Sequence, residues 1–331
     1  MDLIKEWFEK AKARKKSVIL PEHMDDRTYF AAEKIIKEGL SPKVFMIGNP
    51  ESIAEKAKEL GVNISGVEII DPQKDAAKAE YIEEYYNLRK SKGITKEQAE
   101  KTINDPLYYA AMMLRKNRAD SVVAGASHTT GDVLRAAIQV VGTASGVKTV
   151  SSAFVMVMPD KKWGINGVMF FGDCAVIPNP TSEQLADIAI ATATTCRKLT
   201  GAEPKVALLS FSTKGSAEHE LVDKVRKAVE ILKERKVDFE FDGEMQLDAA
   251  IIEKVAKSKA PGSPVGGKAN CLIFPDLNAG NIGYKLTQRL AGAEALGPVI
   301  QGLDKPYNDL SRGCSVDDIV MTAAFAILNA K

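Results

Sequence analysis

Three chemically capable side chains stand close together near the end of the chain: the Ser311 hydroxyl, the Arg312 guanidinium and the Asp318 carboxylate. They belong to the run Asn308 Asp309 Leu310 Ser311 Arg312 Gly313 Cys314 Ser315 Val316 Asp317 Asp318. An apolar stretch follows, with Val320, Ala323, Ala324, Phe325, Ile327 and Leu328 at helical spacing. A hydroxyl and a guanidinium placed just ahead of the unpaired N–H groups of a helix make an anion site. A nearby carboxylate can move a proton. The same residues also have a structural reading. Ser315 suits an N-cap, and Ser315 with Asp318 fits the S-x-x-D capping box, in which acids of the first turn favour the helix dipole. The two roles are compatible. Cys314 is a tempting nucleophile, but packing at the turn into the helix is its expected role.

A second stretch, Asp120–Arg135, reads as strand, small-residue loop and helix start. Gly125 and Ala126 let the backbone approach a ligand closely. Ser127, Thr129 and Thr130 can cap the helix or hold an anion. His128 can act as a base or a phosphate donor, or make a structural hydrogen bond. The loop is neither G-x-G-x-x-G nor a Walker A sequence, so the markers of dinucleotide and P-loop binding are absent. It is either an ordinary βα turn or a ligand site at the carboxyl end of a strand, where open α/β sheets bind. A third edge is Asp276–Gly283, polar residues including Asn281 that follow the buried strand Cys271–Pro275.

The elements that must position these groups alternate strand with helix, the pattern of βαβ units and a mostly parallel sheet. A short amphipathic helix carries Leu3, Ile4, Trp7 and Phe8. A strand at 17–21 precedes a helix at 25–40, with Phe30, Ala31, Ile35 and Ile36 expected inward. Strands at 43–47 and 67–70 flank a helix at 51–60, and helices follow at 75–90 and 106–118. From Val147 to Phe171 the texture becomes that of an antiparallel or mixed region. Helices are then expected at 183–199, 218–235 and 247–255, and one that runs to Leu290. The C-terminal apolar helix needs a sheet to cover. The expected domains are therefore residues 1–149 plus 299–331, and an inserted second domain over 150–298.

The bulk numbers restrict the function. A chain of 331 residues suits two α/β domains. With 45 basic and 44 acidic residues the formal charge is +1, so no global field favours nucleic acid or an anionic membrane. Cys174, Cys196, Cys271 and Cys314 are scattered and suggest neither a disulfide framework nor a zinc site. Residues 1–10 lack a signal-peptide core, and no apolar run is long enough to span a bilayer. A cytoplasmic protein is expected, with no metal.

The run Asn308–Cys314, together with Phe274–Tyr284 and Gly125–Arg135, resembles the phosphate acetyltransferase family in its compact stand-alone form, and the resemblance extends over the whole chain. It implies a two-domain, three-layer α/β/α architecture like that of isocitrate and isopropylmalate dehydrogenases, without their nicotinamide chemistry and with the active site in the interdomain cleft. It also implies a homodimer that transfers acetyl reversibly between CoA and inorganic phosphate. CoA or acetyl-CoA would be a substrate, with no tightly bound cofactor. By the family pattern Asp318 takes the thiol proton, Ser311 lies beside the reacting thiol or carbonyl, and Arg312 binds phosphate or acetyl phosphate. Arg89 and Arg135 match further arginines expected near CoA or phosphate. Ser127, His128, Thr129, Thr130 and Asn281 complete the expected substrate-binding set. Such acyl transfer requires thiolate formation, alignment and charge stabilisation. A helix N-terminus favours the ionised form of Asp318 and so tempers it as a base; closeness to the thiol would compensate. The rival readings are a phosphate butyryltransferase, a metal- and NAD-dependent decarboxylating dehydrogenase, and a CoA-binding protein without activity.

Overall fold

The computed structural model describes residues 3–331. Met1 and Asp2, part of the N-terminal segment considered above, lie outside the described residues. The chain divides into two compact units, residues 1–145 with 303–331, and residues 146–302.

The first unit opens with α1 (Leu3–Arg14), β1 (Val18–Leu20), α2 (Asp26–Lys37), β2 (Val44–Ile47), α3 (Pro50–Leu60) and β3 (Val67–Ile70). It continues with α4 (Lys78–Arg89), α5 (Lys96–Ile103), α6 (Pro106–Arg115), β4 (Ser121–Ala124) and α7 (Thr130–Ala136). Local chemistry sets the helix starts. Asn49–Pro50 and Asp105–Pro106 each pair a capping side chain with a proline at the first helical position. Thr95 and Gln98 form a capping box on α5, a helix the periodicity did not reveal. On α2 the buried stripe is Thr28, Tyr29, Ala31, Ala32 and Ile35. Phe30, expected inward, is 39% exposed, because it lies about 100° around the helix from Tyr29, which holds the core-facing position.

The second unit contains β5 (Ser151–Val157), β6 (Val168–Gly172), α8 (Ser182–Thr200), β7 (Lys205–Leu209), α9 (Glu220–Glu234) and β8 (Glu240–Met245). It ends with α10 (Leu247–Ile251), α11 (Glu253–Lys259), β9 (Cys271–Ile273), α12 (Leu277–Ala291) and β10 (Glu294–Gln301). The strand order is β10-β5-β6-β9-β7-β8. β10, β5 and β6 pair antiparallel, and β6, β9, β7 and β8 pair parallel. The texture change after residue 147 is thus a mixed sheet. Two expectations change here. The helix expected at 247–255 is two helices, because Ile252 adopts an extended backbone between them. β10 is a strand where none was expected; Gly297 and Pro298 interrupt its pattern and coincide with a register shift against β5.

The chain then returns to the first unit with β11 (Tyr307–Asp309) and α13 (Val316–Asn329). No strand is expected from the sequence over Tyr307–Asp309. Three residues are too few for a periodicity, yet they pair with β4 in a fully parallel sheet of order β11-β4-β1-β2-β3. Alternate strand residues serve opposite faces. Ile19, Phe45, Ile47, Val122, Ala124 and Tyr307 join one core with Tyr81, Leu107, Tyr109 and Met113 from the helices on that side. Val18, Leu20, Val44, Met46 and Val123 are equally buried on the face covered by α2 and α13. α13 is buried from Ile319 through Ile327, and its Phe325 meets Trp7 of α1 edge-on at 5.3 Å.

Candidate active site

The register of β4 and β11 brings the two most informative stretches together. Val123 lies opposite Asn308 and Ala124 opposite Asp309, in parallel. Both strands therefore end at the same sheet edge, and the segments after them leave side by side. Gly125 is required at this junction. Its φ is +109°, and a Cβ there would overlap the Asp309 carboxylate and the Leu310 backbone. The Thr130 hydroxyl donates to Asp309 Oδ2 at 2.6 Å. Asp309 is buried and its Oδ1 has no hydrogen-bond partner. Burial pushes this carboxyl up to about 7, against hydrogen bonds from Thr130 and the Leu310 N–H, and the nearby Glu22 charge adds to the rise.

The backbone of the β4 loop points its N–H groups at an anion, and that anion is a protein side chain. Glu22, just after β1, accepts from the N–H of Gly125 and Ala126 at 2.8 Å, of Ser127 at 3.1 Å and of His128 at 3.0 Å. The Ser127 hydroxyl adds a bond at 3.0 Å, and His128 Nδ1 lies 2.7 Å away. Burial works to raise the Glu22 carboxyl, but the hydrogen bonds from His128, Ser127 and Ala126 prevail and hold it below its ordinary value. What this loop offers outward is side chains. Ser127 and Thr129 are exposed, and His128 and Thr130 partly so. Thr129 caps α7 through the Asp132 N–H.

Arg27, on α2, braces both loops. Its Nη1 donates to the carbonyls of Arg312 at 2.9 Å and Cys314 at 2.7 Å, and its Nη2 to that of Ala126 at 2.8 Å. Asp25 holds the guanidinium in place, with Nη2 to Oδ2 at 2.6 Å. The Ser311 and Arg312 side chains are exposed in the turn ahead of α13. Asp318 forms the expected capping box: Oδ2 accepts from the Ser315 N–H at 2.8 Å and hydroxyl at 2.9 Å, and the Asp318 N–H donates back to Ser315 Oγ. The structural role of Asp318 is thus present. It leaves the carboxylate only partly buried, one helical turn from Ser315.

Cys314 is buried. Burial pushes its thiol up to about 11, despite the nearby Arg27 charge. A thiol so rarely ionised is a poor nucleophile at neutral pH. Cys314→Ala is expected to retain at least about half of wild-type kcat, consistent with packing rather than chemistry; loss of turnover in that variant would restore the nucleophile reading.

Arg89, at the end of α4, and Arg135, on α7, flank one aromatic cluster. The charge of Arg89 acts on Tyr85 and that of Arg135 on Tyr108. The two rings meet edge-on at 5.6 Å, and both hydroxyls donate to Gln139 Oε1. Arg135 is also paired with Asp132 at 2.7 Å, an exposed contact that a substrate anion could replace. Asn281 belongs to the second unit. It sits early on α12, which Asp276 caps, and its side-chain amide donates to the Cys174 carbonyl at 3.2 Å. Glu22, Asp25 and Arg27 were not singled out from the sequence. Their one available signal was position, immediately after β1 at the edge where such sheets bind ligands.

These features gather hydroxyl, guanidinium, imidazole and carboxylate side chains at one end of a parallel α/β sheet, and comparison with known proteins identifies the class. A model of the family described as phosphate acetyl/butaryl transferase matches residues 2–327. The phosphate acetyltransferase of Clostridium acetobutylicum is 55% identical over 331 residues, covering 100% of this chain and 99% of that protein. That of Thermoanaerobacterium thermosaccharolyticum is 53% identical, covering all of both. A phosphotransacetylase structure from Streptococcus pyogenes superposes with a TM-score of 0.92 at 39% identity, over 98% of this chain and 97% of that one. A 4-hydroxythreonine-4-phosphate dehydrogenase structure from Burkholderia phymatum, at 12% identity and TM-score 0.54 over 94% of this chain and 98% of that one, shares the fold alone. The chain belongs to the phosphate acetyl/butaryl transferase family.

Proposed function

We propose that the protein is a phosphate acetyltransferase that catalyses acetyl-CoA + phosphate = CoA + acetyl phosphate, reversibly. The observation that carries this reading is the shared edge of β4 and β11, which sets Thr130 beside Asp309 and presents Ser311 and Arg312 next to the β4 loop. Full-length similarity to phosphate acetyltransferases supports the same assignment. In the proposed mechanism phosphate attacks the thioester carbonyl directly, with both substrates bound. Asp318 exchanges the proton of the CoA thiol. Ser311 donates a hydrogen bond at the reacting carbonyl or thiol, and Arg312 balances the charge of phosphate and thiolate. Arg89 and Arg135 hold anionic groups of CoA or phosphate, and Ser127, His128, Thr129, Thr130 and Asn281 complete the substrate contacts. CoA is a substrate rather than a resident cofactor. The working form is proposed to be a cytoplasmic homodimer that engages neither membrane nor nucleic acid; no helix among the described residues is long and apolar enough to cross a membrane.

The decisive assay is phosphate-dependent release of CoA from acetyl-CoA, with acetyl phosphate identified as the second product. CoA release that ignores phosphate would refute the assignment. Faster turnover of butyryl-CoA than acetyl-CoA would move it to the butyryl branch of the family. Isolation of a kinetically competent acetyl-enzyme from acetyl phosphate alone would exclude direct transfer. Arg312→Ala is expected to reduce kcat/KM for phosphate by about 100-fold, the scale of a lost charge-assisted contact. Arg89→Ala and Arg135→Ala should instead raise the KM of an anionic substrate by about 10-fold with a smaller change in kcat; unchanged kinetics in both would remove them from the site.

A further inference from the structure

The Glu22–His128 contact has no role in the mechanism above. Glu22 is 2% exposed in its side chain, His128 32%. Every donor around the carboxylate comes from the β4 loop: four backbone N–H groups, the Ser127 hydroxyl and the imidazole. An ionised carboxylate can only accept, so the imidazole nitrogen 2.7 Å from it must carry the hydrogen. The other ring nitrogen is then left with its lone pair when the ring is neutral. A carboxylate that orients an imidazole in this way also stabilises the imidazolium once a proton arrives.

We propose that Glu22 is a positioning residue that holds His128 in its Nδ1–H tautomer, so that Nε2 accepts the proton carried by the phosphoryl group during acetyl transfer. The proposal rests on the phosphate acetyltransferase reading and supplies a step it leaves open. An unprotonated oxygen of hydrogen phosphate forms the new C–O bond. The C–S bond breaks and its electron pair leaves on sulfur. The O–H proton remaining on the phosphoryl group passes to Nε2, giving acetyl phosphate as its dianion and an imidazolium backed by Glu22. That imidazolium returns its proton to solvent, while the thiolate takes one from Asp318 or water. In the reverse direction the imidazolium protonates the departing phosphate. The backbone nest cannot bind phosphate itself, because Glu22 fills it. The loop thus contributes through the His128 ring and the hydroxyls rather than through main-chain N–H groups.

The tautomer can be read without substrate. The protein has three histidines, so 15N-histidine labelling, with His128→Gln to assign the signal, isolates this ring. At the alkaline plateau of its titration, the wild-type spectrum should show a protonated, pyrrole-type Nδ1 and a lone-pair Nε2. The Nε2–H tautomer would overturn the proposal, and this measurement needs no variant of Glu22 to fold. Kinetics supply the second arm. His128→Gln should lower kcat by about 100-fold, and Glu22→Gln by about 10-fold or more. In the His128→Gln background, Glu22→Gln should cost clearly less than it does in the wild-type background, the remainder being the disturbance of the β4 loop whose N–H groups Glu22 also holds. A full, independent loss in that background would make Glu22 merely structural and end the proposal. A protein that makes acetyl phosphate yet carries the opposite tautomer refutes the pair alone. One that makes no acetyl phosphate refutes the underlying activity and the pair with it.

Discussion

Asp318→Asn is expected to lower kcat by about 100-fold, or about 2.7 kcal/mol in the activation barrier, with KM for both substrates nearly unchanged. The reasoning separates two roles of one side chain. In the capping box Asp318 uses Oδ2 to accept from Ser315. An asparagine carbonyl can accept the same bonds, so α13 keeps its N-terminal turn and the melting temperature should move little. What asparagine cannot do is exchange a thiol proton. The loss should therefore fall on turnover, the signature of an interaction used in the transition state rather than in binding. Asp318→Ala is the control in the other direction. It removes the N3 half of the capping box while Ser315 still caps the backbone N–H at position 318, so it should cost up to about 1 kcal/mol in stability and show the same fall in kcat. Steady-state kinetics beside thermal melts of both variants decide the matter. Wild-type kcat in Asp318→Asn would leave this carboxylate as a helix cap only, the reading that the capping geometry by itself supports.

That ambiguity was visible in the sequence and has a physical cause. Ser315-x-x-Asp318 has the same spacing whether it caps a helix or serves a site, since both uses rely on the unpaired N–H groups of the first turn. The β4 loop is the opposite case. Its glycine, small residues and hydroxyls read as an anion cradle, and the backbone does form one, but Glu22 occupies it from more than a hundred positions earlier in the chain. A single sequence shows the cradle and not its occupant, because the occupant is set by strand order. Strand order also hid β11: its three residues are strand only because β4 lies next to them. The long helices and buried strands were legible because each carries its own periodicity. Arg27 and Asp309 carry none, and their importance comes from the parts of the chain they connect.

Asp309→Asn should make the first unit more stable at pH 8 by on the order of 2–4 kcal/mol, an effect that disappears in acid. In the folded chain the carboxyl sits at about 7, raised from 3.8 chiefly by burial. The unfolded chain therefore loses its proton first. Between about pH 4 and pH 7 the native state binds more protons at this site than the unfolded state does, so stability must fall as pH rises through that window. Below it both states are protonated and the cost is gone; above it both are ionised and the cost is constant. Asparagine keeps an acceptor for the Thr130 hydroxyl and places an amide where Oδ1 stands without a partner, and it has no charge to bury. Urea unfolding followed at Trp7, with Trp163→Phe removing the only other tryptophan, reports on the first unit specifically. The variant's advantage should grow from near zero at about pH 4 to its full value by about pH 7 and then stay level. An advantage that is constant with pH would mean that the side chain's shape, and not its buried charge, sets the difference. Because Asp309 links the β4 loop to the turn bearing Ser311 and Arg312, the same variant should turn over more slowly than wild type even while it is the more stable protein, the usual sign of a destabilised group retained for the geometry it imposes on a site.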